Sequence, residues 1–168
     1  QGLDVVGLHA HAGSGFGPDD LGEHQAFLER LGDLAREAVD RVGPLELVDV
    51  GGGLGVPMRE SDEPLDLEAV ARATREALGE IDATLTIEPG RYLVADAGVL
   101  LTTVTTVKHS VTPVVTGVDA GMTTLIRPAF YGAYHPVRSL AEDAATRATA
   151  TQTLSGPVCE GADVLAEE

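Results

Sequence analysis

Two histidines stand one residue apart in GLHAHAGSG, residues 7–15, and a Gly-Ser-Gly turn follows them. In an extended strand His9 and His11 point to the same side, because side chains alternate with a period of two. Two imidazoles on one face suit a metal ion. A glycine-rich turn just past a strand suits a phosphate, since glycine lets backbone N–H groups come close. A buried strand that happens to carry two histidines accounts for the same residues, and His9 on its own reads as a structural histidine.

Two further stretches have chemistry-bearing composition. GGGLG, residues 51–55, is a second glycine-rich turn, and EPGR, residues 88–91, sets Glu88 and Arg91 around a Pro-Gly turn. Neither glycine turn is a Walker loop, for no G-K-[ST] follows, and no acidic partner of a dinucleotide fold is evident. A surface salt bridge has the composition of EPGR. So does a site for a cofactor with a basic ring nitrogen and an anionic tail, and pyridoxal phosphate has both. A carboxylate keeps such a ring nitrogen protonated through a charge-assisted hydrogen bond, worth roughly 1.5–3 kcal/mol. On that reading His11 stacks on the flat ring, and Ser14 and the GGG turn hold its phosphate.

The elements that must position these residues are legible from periodicity. Residues 4–11 are apolar and β-branched and read as a strand. Pro18, Asp19 and Asp20 form a helix entry, with acidic residues suited to a helix N-terminus. Leu28, Leu31, Ala35, Val39 and Val42 then recur at helical spacing until Gly43 and Pro44. Residues 45–50 predict a second strand, Leu67, Val70, Thr74, Leu78 and Ile81 a second helix, and residues 83–88 a third strand. A strand-helix series of this kind predicts a parallel sheet. In a βα barrel the chemistry sits on the loops after the strands, and all three motifs fall on that one edge. After Arg91 the texture changes: residues 99–115 are dense in Val and Thr, and short β-like runs continue to 151–156. A β-rich second domain is expected to begin near residue 97. Residues 139–150 read as an exposed acidic loop between strands.

Composition bounds the function classes. With 27 acidic and 11 basic residues the formal charge is −16, which repels nucleic acid and anionic membranes. No apolar run approaches membrane-spanning length. Lys108 is the only lysine. Acidic residues in such excess resemble a protein of a salt-loving organism, in which screening relieves self-repulsion. An ordinary acidic protein from a GC-rich genome, where arginine also displaces lysine, is the competing reading. Cys159 is the only cysteine, so no internal disulfide forms, which fits a reducing, cytoplasmic compartment.

HAHAGS, VDVGGGLG, EPGRYLVADAGVLL, VDAGMTTLIRPAFYGAYH and GPVCEGAD occur in this order along nearly the whole chain. That order resembles the fold-type III pyridoxal-phosphate decarboxylases, and among them most nearly those that act on diaminopimelate. The resemblance implies an alanine-racemase-like α/β architecture. Residues 1–96 would be the later units of a cofactor-binding βα (TIM-type) barrel, and residues 97–168 the first part of a C-terminal β domain. It implies decarboxylation of meso-2,6-diaminopimelate to L-lysine and CO2 in lysine biosynthesis, by a homodimer with shared active sites.

By the same resemblance, His11 stacks on the cofactor ring and Glu88 meets its pyridine nitrogen. Ser14, Gly53, Pro89 and Gly90 contact the cofactor, mostly at its phosphate. Arg91, Arg127 and Tyr131 bind the substrate's distal carboxylate, although in some relatives the arginine of EPGR holds phosphate instead. Cys159 is similar to the proton donor and Glu160 to the acid that meets the distal ammonium, both reaching the neighbouring subunit's site. For a lone cysteine, a small buried apolar role is the competing reading. No metal is implied, and His24, His109 and His135 receive no role. The family's cofactor-linking lysine lies in an upstream motif that Lys108 does not match, and its C-terminal tyrosine has no counterpart. The chain therefore reads as a piece of a longer protein, inactive alone. The alternatives are a relative acting on another diamino acid or polyamine precursor, a metal-dependent barrel hydrolase using His9 and His11, and a non-catalytic interaction protein.

Overall fold

Three short parallel strands organise the first part of the chain: β1 (Gly7–His9), β2 (Leu47–Asp49) and β3 (Thr84–Thr86), in the order β1-β2-β3. The computed structural model describes residues 2–167. It divides into two compact units, Gln1–Gly98 and Val99–Glu168. The architecture is mixed α/β, with one sheet in each unit. Among the described residues no helix is long and apolar enough to cross a membrane.

Parallel neighbours need a crossover, and two helices supply it. Helix α1 (Leu21–Val42) follows a single 3-10 turn at Pro18–Asp20, where the Gly17 N–H donates to Asp20 Oδ2 (2.8 Å). Helix α2 (Leu67–Leu78) is capped by Asp66, whose side chain accepts from the N–H groups of Glu68 and Ala69. Leu28, Leu31 and Ala35 of α1 meet Leu78 of α2 and Val48 of β2 in one buried cluster, completed by Leu45 and Val50. The side chains that alternate with these on the strands, His9 and Asp49, therefore leave the helix-covered face.

The strands are shorter than their apolar runs predict. Residues 4–11, 45–50 and 83–88 read as strands, yet each ladder ends within three residues. Regular pairing stops at the His9–Asp49–Thr86 level, and beyond it the segments stay close as loops, joined by single bonds such as Glu88 N–H to the Gly51 carbonyl. Helix α2 likewise stops at Leu78, before Ile81, because Gly79 follows.

The second unit holds β4 (Val104–Lys108), β5 (Val114–Val118), β6 (Gln152–Ser155) and β7 (Val164–Glu167), in that order across one mixed sheet. Only the β5–β6 pairing is parallel. The Val/Thr run is thus two strands joined by a turn. Residues 139–150 carry no strand and are mostly exposed. Two helices escape the sequence pattern, α3 (Gly90–Val94) and α4 (Arg127–Tyr131). Five residues show no helical period, and Gly90 has low helix propensity, while Pro128 sits in the first turn of α4 where proline is tolerated.

His24 on α1 is 7% exposed, stacked on Phe16 at 4.1 Å and near Phe27. Its Nδ1 has no hydrogen-bond partner among the described residues. Burial lowers its pKa below the ordinary 6.5, because the charged ring would lose its hydration. The unfolded chain therefore takes up this proton first. Stability from His24 is complete above about pH 6.5 and falls as pH drops toward the lower folded value. We expect urea midpoints to decline between neutral pH and about pH 5, and His24→Phe to flatten that decline. An equal slope in both proteins would show that His24 does not contribute.

Candidate functional site

Each strand of the parallel sheet ends in one of the three motifs, so HAHAGSG, GGGLG and EPGR share an edge. The register sets His9 opposite Asp49 and Asp49 opposite Thr86, two residues before Glu88. His9 Nε2 lies 3.2 Å from Glu88 Oε2. Asp49 joins them: the three side chains place one donor atom each within 4.8 Å of one another. Its Oδ1 accepts the Gly51 N–H at 2.8 Å. The Glu88 N–H donates to the Gly51 carbonyl, also at 2.8 Å, which ties EPGR to the glycine turn. His9 is thus no buried structural histidine, since over half of its side chain is exposed.

The glycine turn is a close backbone contact between loops. Gly53 has φ +93°, and a Cβ there would collide with the Gly13 carbonyl; one on Gly52 would collide with the Glu88 carbonyl. The Gly53 carbonyl accepts the N–H groups of Gly15 (2.8 Å) and Phe16 (3.0 Å). Gly52 N–H donates to His11 Nδ1 at 3.1 Å, which requires a lone pair on Nδ1 and so leaves any neutral-ring proton on Nε2. The Arg91 guanidinium donates to Ser14 Oγ at 3.4 Å. Pro89 precedes the first turn of α3, which carries Gly90 and Arg91. The edge thus collects His11, Ser14, Gly53, Glu88 and Arg91 within one unit. A cavity of about 400 Å³ between the Ser14 loop and α1 reaches Ser14, Phe16, Glu23, His24 and Arg30, but not Glu88 or Arg91.

The remaining predicted site residues lie in the second unit. Arg127 opens α4 with its guanidinium carbon 5.3 Å from the Tyr131 ring centroid, and Tyr131 packs edge-on against Phe130. Cys159 is a free, exposed thiol. Glu160 Oε1 accepts the Ala162 N–H at 3.4 Å. Upstream, Asp119 of the VDAGM motif accepts from Thr102 Oγ1 (2.6 Å) and the Thr103 N–H (2.8 Å). These bonds, the Thr102 hydroxyl first, hold its carboxyl below the usual range.

Sequence reasoning missed Asp163. It is 0% exposed, and its carboxylate accepts the Met122 N–H (2.6 Å) and the Val158 N–H (2.7 Å). It therefore ties the loop bearing Cys159 and Glu160 to the turn ahead of α4. The available signal was an acidic residue directly before the apolar strand β7.

The chain resembles known proteins along its length. The family described as pyridoxal-dependent decarboxylase, C-terminal sheet domain, matches residues 23–168. A diaminopimelate decarboxylase from Methanothermobacter thermautotrophicus is 38% identical over 99% of this chain and 40% of its own length. The crystal structure of diaminopimelate decarboxylase from Helicobacter pylori complexed with L-lysine superposes with a TM-score of 0.82 at 32% identity. That match covers 96% of this chain and 39% of the other. The structure of SrLDC in complex with PLP and cadaverine gives a TM-score of 0.77 at 26% identity, over 99% of this chain and 43% of the other. The chain thus spans about 40% of the length of the curated relatives it matches. With the family pattern running through both units, the chain belongs to the pyridoxal-dependent decarboxylases.

Proposed function

We propose that this chain is part of a diaminopimelate decarboxylase, which converts meso-2,6-diaminopimelate to L-lysine and CO2. In this reading residues 1–96 are later units of a βα barrel and residues 97–168 the first part of a β domain, in a cytoplasmic homodimer. The observation that carries it is the sheet edge on which Glu88 stands beside the Arg91–Ser14 pair.

The donor set fits pyridoxal phosphate. A carboxylate suits the basic ring nitrogen, and a guanidinium with a hydroxyl suits the phosphate. Space is open at the same edge: a Cβ on Gly13 or Gly90 would touch nothing within 4 Å. Bound there, the cofactor supplies an electron-accepting ring for the electron pair left on Cα as CO2 departs. Glu88 holds the proton on the ring nitrogen, and His11 lies against the ring face. Ser14, Gly53, Gly90 and Arg91 hold the phosphate, and Pro89 contacts the cofactor beside them. The Arg91–Ser14 bond supports giving Arg91 to the phosphate rather than to the substrate's carboxylate.

The second unit recognises the far end of the substrate. Arg127, with Tyr131, grips the distal carboxylate, since a planar guanidinium forks onto two oxygens. Glu160 meets the distal ammonium in the partner subunit's site. Cys159 Sγ–H delivers the proton to Cα, in the partner subunit's site.

The test is product formation by the complete enzyme from meso-diaminopimelate, L-lysine and L-ornithine, with and without pyridoxal phosphate. We expect cofactor-dependent L-lysine from meso-diaminopimelate alone. Turnover only of L-lysine or L-ornithine would assign the chain to another diamino-acid decarboxylase. Turnover indifferent to the cofactor would overturn the reading.

A further inference from the structure

His9 has no part in the reading above, yet it makes the one side-chain bond found at Glu88 among the described residues. Glu88 lies past the end of β3, so no strand ladder restrains it, and its backbone N–H goes to Gly51. Asp49 brings a second carboxylate into the same cluster and is itself pinned by the Gly51 N–H. Two carboxylates this close repel, and a repelled glutamate turns away about its side-chain torsions. The His9 N–H opposes that motion. A carboxylate only accepts, so the bond places the proton on Nε2 and occupies Oε2 of Glu88.

We propose that His9 is a positioning residue for Glu88: it holds one carboxylate oxygen against Asp49 repulsion and so presents the other to the cofactor's ring nitrogen. The proposal rests on the assignment of Glu88 to that nitrogen. A stabilising role does not account for the pair, because both side chains are over half exposed and exposed pairs add little to stability. The strand register sets the geometry, since β1 and β2 place His9 level with Asp49 and β3 delivers Glu88 just beyond.

The test uses the complete enzyme with His9→Phe, which keeps a flat ring but donates nothing, and His9→Gln, which keeps a donor. Each is made with Glu88 native and as Glu88→Gln. Cofactor affinity is titrated on cofactor-stripped protein, separately from kcat and KM. With Glu88 native, we expect His9→Phe to lower kcat about tenfold and weaken cofactor binding, with KM unchanged. His9→Gln should recover most of the loss. With Glu88→Gln, His9→Phe should cost nothing further. Native kcat and cofactor affinity in His9→Phe, beside an impaired Glu88→Gln, would overturn the role of His9 and leave that of Glu88 standing. A loss of equal size in both backgrounds would also overturn it, because His9 would then act elsewhere. A fully active Glu88→Gln with cofactor bound would overturn the assignment of Glu88 itself.

Discussion

Glu88→Gln in the complete enzyme is expected to slow decarboxylation on the order of a hundredfold while pyridoxal phosphate stays bound. Retention is expected because the phosphate contacts proposed for Ser14, Gly53 and Arg91 are untouched and an amide still hydrogen-bonds the ring nitrogen. The rate falls because an amide carries no charge to keep that nitrogen protonated, and an unprotonated ring is a poorer electron acceptor. The measurement is kcat at saturating substrate, with cofactor content read from absorbance on the same sample. An unchanged rate at full occupancy would remove Glu88 from the chemistry.

Asp163→Ala is expected to destabilise the second unit by about 3 kcal/mol, which is a large part of an ordinary domain's stability. The substitution strands two part-buried N–H groups, those of Met122 and Val158, and opens a hole beside two glycines that have no side chain to fill it. The aspartate is enclosed by Gly121 and Gly156, either of which would strike it if it carried a Cβ. Asp163→Asn keeps one accepting oxygen and should lose less. Urea unfolding, with proteolysis mapped across residues 119–163, measures both effects. We expect Asp163→Ala to expose the loop bearing Cys159 before the rest of the protein unfolds. Native resistance in that loop would show that Asp163 does not hold it.

The order of elements in the first unit, and the edge on which its motifs meet, are properties of the sequence alone. Helices α1 and α2 announce themselves because their apolar positions repeat at three and four residues, and Gly43 marks the end of α1, whereas the end of α2 at Leu78 came only from the structure. Glycine turns and EPGR mark the strand ends because their composition is local. The second sheet was legible only as β texture, and its five-residue helix α4, which carries Arg127 and Tyr131, was not legible at all. Five residues hold too little periodicity to mark a helix.

What tertiary structure decided were the pairings. His9 meets Glu88 across 79 residues of sequence, Arg91 meets Ser14 across 77, and Asp163 meets Met122 across 41. A residue's type says what bond it can make, and local spacing says which face it occupies. Which partner arrives there depends on sheet register and on how closely the loops approach. Those follow from the packing of Val48 and Leu78 against α1 and from glycine positions that admit a neighbouring carbonyl. So Glu88 could be singled out from EPGR and His9 from its HAH stretch, whereas their meeting, with Asp49 beside them, emerges only once the three strands lie side by side.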